Sequence, residues 1–155
     1  MDMKIVIRDF RCGDEADVYS LVETVLGEYG LGMDPDSTDR DLADIQAEYV
    51  DSGGTFRIVE IDGEIAGSYG LYPVSEKACE LRKMYLLSSY QGQGIGRKMM
   101  QDLLSWAGES GFTEIVLETN SVLDRAGKLY VRYGFVPYEP EHLSDRCNMA
   151  MRLKL

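Results

Sequence analysis

The sequence predicts an α/β (α+β) protein: a mixed central sheet of about seven strands with about four helices on its faces. Three observations carry this. Apolar residues alternate with a period of two in short runs and recur at helical spacing in longer ones. The two kinds of segment interleave along the chain. One pair of strand-like runs is separated only by Asp62-Gly63, a tight-turn dipeptide. Strands joined by hairpins and strands joined by helices in one chain call for antiparallel and parallel pairs together.

In order, Met3 to Arg8 (MKIVIR) alternates as a half-buried strand, and Asp14 to Leu26 changes to helical spacing through Ala16, Val18, Leu21, Val22 and Val25. Gly27, Gly30, Gly32 and Pro35 interrupt it, and a second helix is expected from Ser37 or Thr38, either a suitable cap, to about Val50. Phe56, Ile58, Val59 and Ile61 mark a strand that turns at Asp62-Gly63 and returns as Glu64 to Tyr72, closed by Pro73. Ala78 to Leu87 is a further strand, followed by a polar, glycine-rich connection over Ser88 to Gly96. Arg97 to Ala107 places Met99, Met100, Leu103, Leu104 and Trp106 at helical spacing, with Gly108 and Gly111 beyond its end. Thr113 to Glu118 reads as strand, Asp124 to Tyr133 as a helix stopped by Gly134, and Phe135 to Tyr138 and Cys147 to Leu153 as two last strands. The order is βααβββαβαββ, without repeat, linker or low-complexity segment, and one domain is expected over residues 1–155.

A chain of 155 residues, 45% hydrophobic, can bury one core without disulfides or metals. Three scattered cysteines (Cys12, Cys79, Cys147) and the single His142 give no zinc spacing, so no metal is expected and the cysteines read as reduced, core-like residues. The formal charge of −11 argues against nucleic acid, whose phosphates require basic patches. Residues 1–60 hold 15 acids against 5 bases, and so −10 of that charge. This is either a solvated acidic face or a field for a cationic substrate, with Asp34, Asp36, Asp39, Asp41 and Asp44 at its centre. No run is long and apolar enough to span a membrane, and acids stand in MDMKIVIRDF where a secretory signal needs an apolar stretch, so a cytoplasmic protein is expected.

Gln91-Gly92-Gln93-Gly94-Ile95-Gly96 lies between a strand and a helix, where free backbone N–H groups and the helix dipole hold anions. It lacks the Lys-Ser/Thr of a Walker loop, and its last two glycines are one residue closer than in a dinucleotide fingerprint. From Arg82 to Lys98 there are four bases and no acid, a local reversal that fits a phosphate ligand.

Gln-x-x-Gly-x-Gly, preceded by KMYLL and followed by LETNSVLDRAGKLYVRYGF, resembles the GNAT N-acetyltransferases, especially small bacterial members with a CELRKMY strand. The resemblance covers the element order of the whole chain and, in motif detail, residues 79–138. It implies the GNAT fold and acetyl-CoA as co-substrate. The pyrophosphate would rest on Gln91, Gly92, Gln93, Gly94, Ile95 and Gly96 with Arg97, and the pantetheine arm on backbone groups of Leu86 and Leu87. Asn120 would be a further cofactor contact, or else a turn-forming strand end. Tyr130 takes the place of the family's general acid, with Tyr133 a weaker alternative and packing against the sheet the plain reading. Glu80, eleven residues before Gln91, is the first choice of base, unless it only pairs with Arg82 or Lys83. Regular alternation would set Glu80, Arg82, Met84 and Leu86 on one face, with Glu118 in reach on the next strand. The implied reaction transfers acetyl to a primary amine of a small molecule, one candidate being a cationic amine. A non-catalytic acyl-CoA sensor or a protein N-acetyltransferase is the alternative, and the chain acts as a monomer or homodimer.

Overall fold

The computed structural model describes residues 2–155, and in it seven strands form one sheet in the order β1-β2-β3-β4-β5-β7-β6. They are β1 (Ile5–Asp9), β2 (Thr55–Ile61), β3 (Glu64–Pro73), β4 (Ala78–Leu86), β5 (Glu114–Thr119), β6 (Val136–Tyr138) and β7 (Met149–Lys154). Three α-helices, α1 (Glu15–Glu28), α2 (Ile95–Glu109) and α3 (Asp124–Arg132), follow the predicted runs. At the β2–β3 hairpin both Asp62 (φ 51°) and Gly63 (φ 85°) are left-handed, the turn whose twist matches its strands.

The fourth helix differs from expectation. Neither Ser37 nor Thr38 caps it, and it is broken into a 3₁₀ turn over Arg40–Ala43 and a π-type turn over Gln46–Val50, with Asp44 extended between them. The cause is local competition for the backbone. Asp44 accepts the Ala47 N–H (3.1 Å) and Asp39 the Asp34 N–H (2.8 Å), bonds that short acidic side chains make at the expense of a continuous helix.

Apolar side chains fill both faces of the sheet. On one, α1 lays Val18, Val22 and Leu26 with Tyr49 against Phe56 and Ile58. On the other, α2 lays Met100, Leu103 and Ala107 against Leu71, Leu81 and Ile115. The cysteines divide: Cys79 is buried in this core, Cys147 is half-buried and Cys12 is exposed.

β4 carries a bulge. Between Ser68↔Tyr85 and Gly70↔Arg82 the register slips, so that Lys83 and Met84 face Tyr69 alone. Lys83 takes φ 54°, and Ser68 Oγ donates to its carbonyl at 2.8 Å. The bulge corrects the regular alternation expected of this strand. Cys79 and Leu81 belong to the α2-side core, and Met84 and Leu86 also turn to that side, away from Glu80 and Arg82.

The fold's dependence on acid follows from its ion pairs. The Arg8 guanidinium holds the Asp14 carboxyl below the usual carboxylate range. Burial alone would raise Asp39, but bonds from Arg146 and the Asp34 N–H, with the Lys83 charge, hold it low as well. The unfolded chain therefore takes up these protons first. Their stabilisation is complete above the ordinary Asp value of about 3.9 and is lost as pH falls through the depressed folded values. Urea midpoints are expected to stay level from pH 7 to about 5 and to fall below about pH 4; a level midpoint down to pH 3 would contradict this.

Candidate active site

Among the described residues only β4 and β5 run parallel as neighbouring strands, and they pair from Ala78↔Glu114 to Leu81↔Leu117 and no further. Past Leu81 the bulged β4 diverges, leaving a strand edge whose backbone groups face a cleft instead of a partner. Two lobes open there, of about 680 and about 610 Å³. Both are lined by Met84, Tyr85, Leu123 and Ala126, so they adjoin where the strands part.

The smaller lobe has the chemistry of an anion site. Gly92 (φ 78°) and Gly94 (φ 84°) take left-handed backbone that other residues reach only with strain. Among the described residues no side chain caps α2, so the N–H groups of its first turn are free for an anion. Gln91 and Gln93 shape the loop by donating to Leu86 O (3.0 Å) and Ser89 O (3.2 Å). Gln91, Gly92, Gly94, Gly96, Arg97 and Leu86 line this lobe; Gln93, Ile95 and Leu87 do not. Ile95 is a core anchor. Leu87 spends its N–H on Ala66 O (2.9 Å) and its carbonyl on the Tyr90 N–H (3.0 Å), so the open edge of β4 ends at Leu86, whose carbonyl Gln91 already holds.

Sequence reasoning missed Arg125, Lys128 and Arg132, which line the lobe with Arg97 against the single acid Asp124. Arg125 lies over the loop, its Nη1 3.4 Å from where a Cβ on Gly92 would stand. The signal was present: positions 125, 128 and 132 share one face of a helix. Four bases around free helical N–H groups fit a pyrophosphate.

The larger lobe holds Glu80, Glu118, Asn120 and Tyr130 together. Tyr130 is buried on α3 against Phe135, ring centroids 5.7 Å apart, and its hydroxyl has no hydrogen-bond partner among the described residues. Burial, reinforced by Tyr85 and Cys147, pushes its pKa well above the ordinary tyrosine value, so it carries its proton throughout the neutral range. Glu80 is bonded to Arg82 Nε, and Arg82 also reaches Glu48 (3.4 Å) while stacking 4.1 Å above the Tyr72 ring. Glu118 accepts the Ser144 N–H (2.8 Å). Asn120 uses both ends of its amide locally, donating to Arg146 O (2.9 Å) and accepting from Val122 N–H (3.0 Å), which is the turn-forming behaviour. Tyr133 and His142 line neither lobe. Among the described residues no group of three or more His, Cys, Asp or Glu is arranged to hold a metal ion, and no helix is long and apolar enough to cross a membrane.

The split parallel pair thus has a basic, anion-suited lobe on one side and the buried Tyr130 in the adjoining lobe on the other. The chain belongs to the Acetyltransferase (GNAT) family, whose profile matches residues 18–135, and it is an N-acetyltransferase. It is 33% identical over 135 residues to the uncharacterized N-acetyltransferase YjgM of Escherichia coli K12, covering 84% of this chain and 81% of that one. Its fold superposes on a GNAT acetyltransferase of Staphylococcus aureus Mu50 with TM-score 0.91 at 21% identity, over 97% of this chain and 99% of the other. It also matches yncA of Salmonella typhimurium, solved with its cofactor acetyl-CoA, with TM-score 0.74 at 19% identity over 97% and 93% of the two chains.

Proposed function

We propose that the protein moves the acetyl group of acetyl-CoA to the primary amine of a small molecule by direct attack. The observation that carries this reading is the junction of the two lobes at the β4–β5 split, with Tyr130 beside it. The co-substrate supplies an activated thioester, and the protein's part is to hold it and manage protons. The first turn of α2, with Arg97, Arg125 and Lys128, would bind the phosphates, and the edge at Met84–Leu86 the pantetheine arm.

At the junction the amine nitrogen bonds to the acyl carbon as the carbon–sulfur bond breaks. Tyr130 gives its phenolic proton to the departing thiolate, and Glu80, oriented by Arg82, takes the proton the ammonium loses, through water if they do not touch. The acceptor lobe is lined by Ser37, Thr38 and Asp44 from one segment and by Ser144, Arg146 and Cys147 from another, a setting suited to a small molecule. The aspartate field is smaller than the sequence implied, because Asp39 and Asp41 are already paired with Lys83. A cationic acceptor would meet Asp44 and Glu118 instead.

The test is calorimetric titration with acetyl-CoA, followed by CoA thiol release with ethanolamine, putrescine, lysine and phenethylamine. Micromolar binding and turnover of at least one amine are expected. Turnover of peptide amines alone would move the reading to protein acetylation, and binding without turnover of any amine of the panel would overturn the small-molecule reading.

A further inference from the structure

Asp39 stands in the sequence among five clustered aspartates, and the structure withdraws it from any solvated face or substrate field. Its side chain is 0% exposed, and both oxygens are engaged by two other parts of the chain. Arg146 grips it with both terminal nitrogens, Nη1 to Oδ2 at 2.6 Å and Nη2 to Oδ1 at 2.8 Å. Lys83 Nζ lies 3.2 Å from Oδ1, and the Asp34 N–H donates to Oδ2 at 2.8 Å. The two cations carry the connection outward. Lys83 also donates to Thr38 O (3.0 Å) and stands 3.2 Å from Asp41, while Arg146 donates to Gly32 O (3.1 Å).

Three segments meet at this carboxylate: the loop over residues 32–44, the bulge of β4 and the turn before β7. The first and last both line the acceptor lobe, and the bulge is where β4 leaves β5. Lys83 and Arg146 line that lobe, and none of the three residues lines the phosphate lobe. We propose that Asp39 is a positioning residue for the amine acceptor, fixing the distance between these two lining segments through Lys83 and Arg146. The role rests on the reading that this lobe receives the amine. A bidentate pair with a buried carboxylate suits the task, since its fork fixes orientation as well as distance.

Cys147 adjoins Arg146 in the same segment, so its thiol reports on that segment without any knowledge of the acceptor. Burial raises that thiol's pKa, which keeps it slow to alkylate while the segments are held together. The experiment compares Asp39→Asn and Arg146→Lys, each in a Cys12→Ser background that removes the exposed thiol, in iodoacetamide labelling of Cys147, acetyl-CoA titration and amine kinetics. Both variants are expected to label Cys147 about 10-fold faster or more, with buried Cys79 still protected, and to bind acetyl-CoA within about twofold of the parent. With the best amine of the panel, KM should rise about 10-fold or more with a smaller change in kcat.

Unchanged labelling and unchanged amine KM in a folded variant would overturn the proposal. So would parallel losses in acetyl-CoA and amine binding, which mark general loosening. Arg146→Lys keeps the charge and carries the test if Asp39→Asn does not fold. If no amine is turned over, the small-molecule reading fails on its own, while the labelling and acetyl-CoA arms still decide the role of Asp39.

Discussion

Tyr130→Phe is expected to lower kcat by about 10²- to 10⁴-fold, the range a positioned general acid contributes, with acetyl-CoA affinity unchanged. The substitution is a clean one. The hydroxyl bonds to no described residue, so no partner is left unsatisfied, and the ring keeps its place against Phe135. Thermal stability should therefore match the parent, and any loss of rate belongs to the proton. Burial holds the phenol protonated, so the parent's kcat should not fall through loss of this proton anywhere in the neutral range. A variant with the parent's kcat would assign the thiolate's proton to water or another group. A loss confined to KM would make Tyr130 a binding surface and nothing more.

The same residue shows how much was legible in the sequence. Tyr130 stands in LYVRYGF, between a helix pattern and a closing glycine, and the glycine loop stands between a strand and a helix; such local patterns survive folding unchanged. The bulge at Lys83 does not announce itself. Alternation is a rule for regular strands, and the extra residue became apparent only from the partner strand, where Tyr69 faces two residues. Without the bulge, Met84 and Leu86 would share a face with Glu80, and the edge that faces the cleft would be misplaced.

Asp39 was hidden for a different reason. An aspartate among aspartates reads as solvated charge, and the cation that grips it lies 107 residues away. No local pattern records so distant a partner. Residues 40–50 are helical as expected but not continuous, since at Asp44 a side chain bonds the backbone and interrupts the run. By contrast Arg125, Lys128 and Arg132 are legible in the sequence as one helix face.

That basic face makes the second large effect a matter of charge as well as shape. Gly94→Glu is expected to weaken acetyl-CoA binding by about 100-fold or more, the equivalent of two hydrogen bonds to charged groups at about 1.5 kcal/mol each. A Cβ at Gly94 meets nothing within 4 Å, so the added side chain is not excluded by contact. The φ of 84° costs about 1–2 kcal/mol for any residue with a Cβ, offset in part because a carboxylate at a helix N-terminus is favourable. The protein should fold, and its own carboxylate should occupy the N–H groups the phosphates need. Gly94→Ala carries the strain without the charge and separates the two causes. If Ala leaves calorimetric affinity within about threefold of the parent while Glu abolishes binding, anion competition at the α2 N-terminus is established. Equal losses in both would mean that the loop's backbone shape alone makes the cradle, and unchanged affinity in both would remove the glycine loop from the cofactor site.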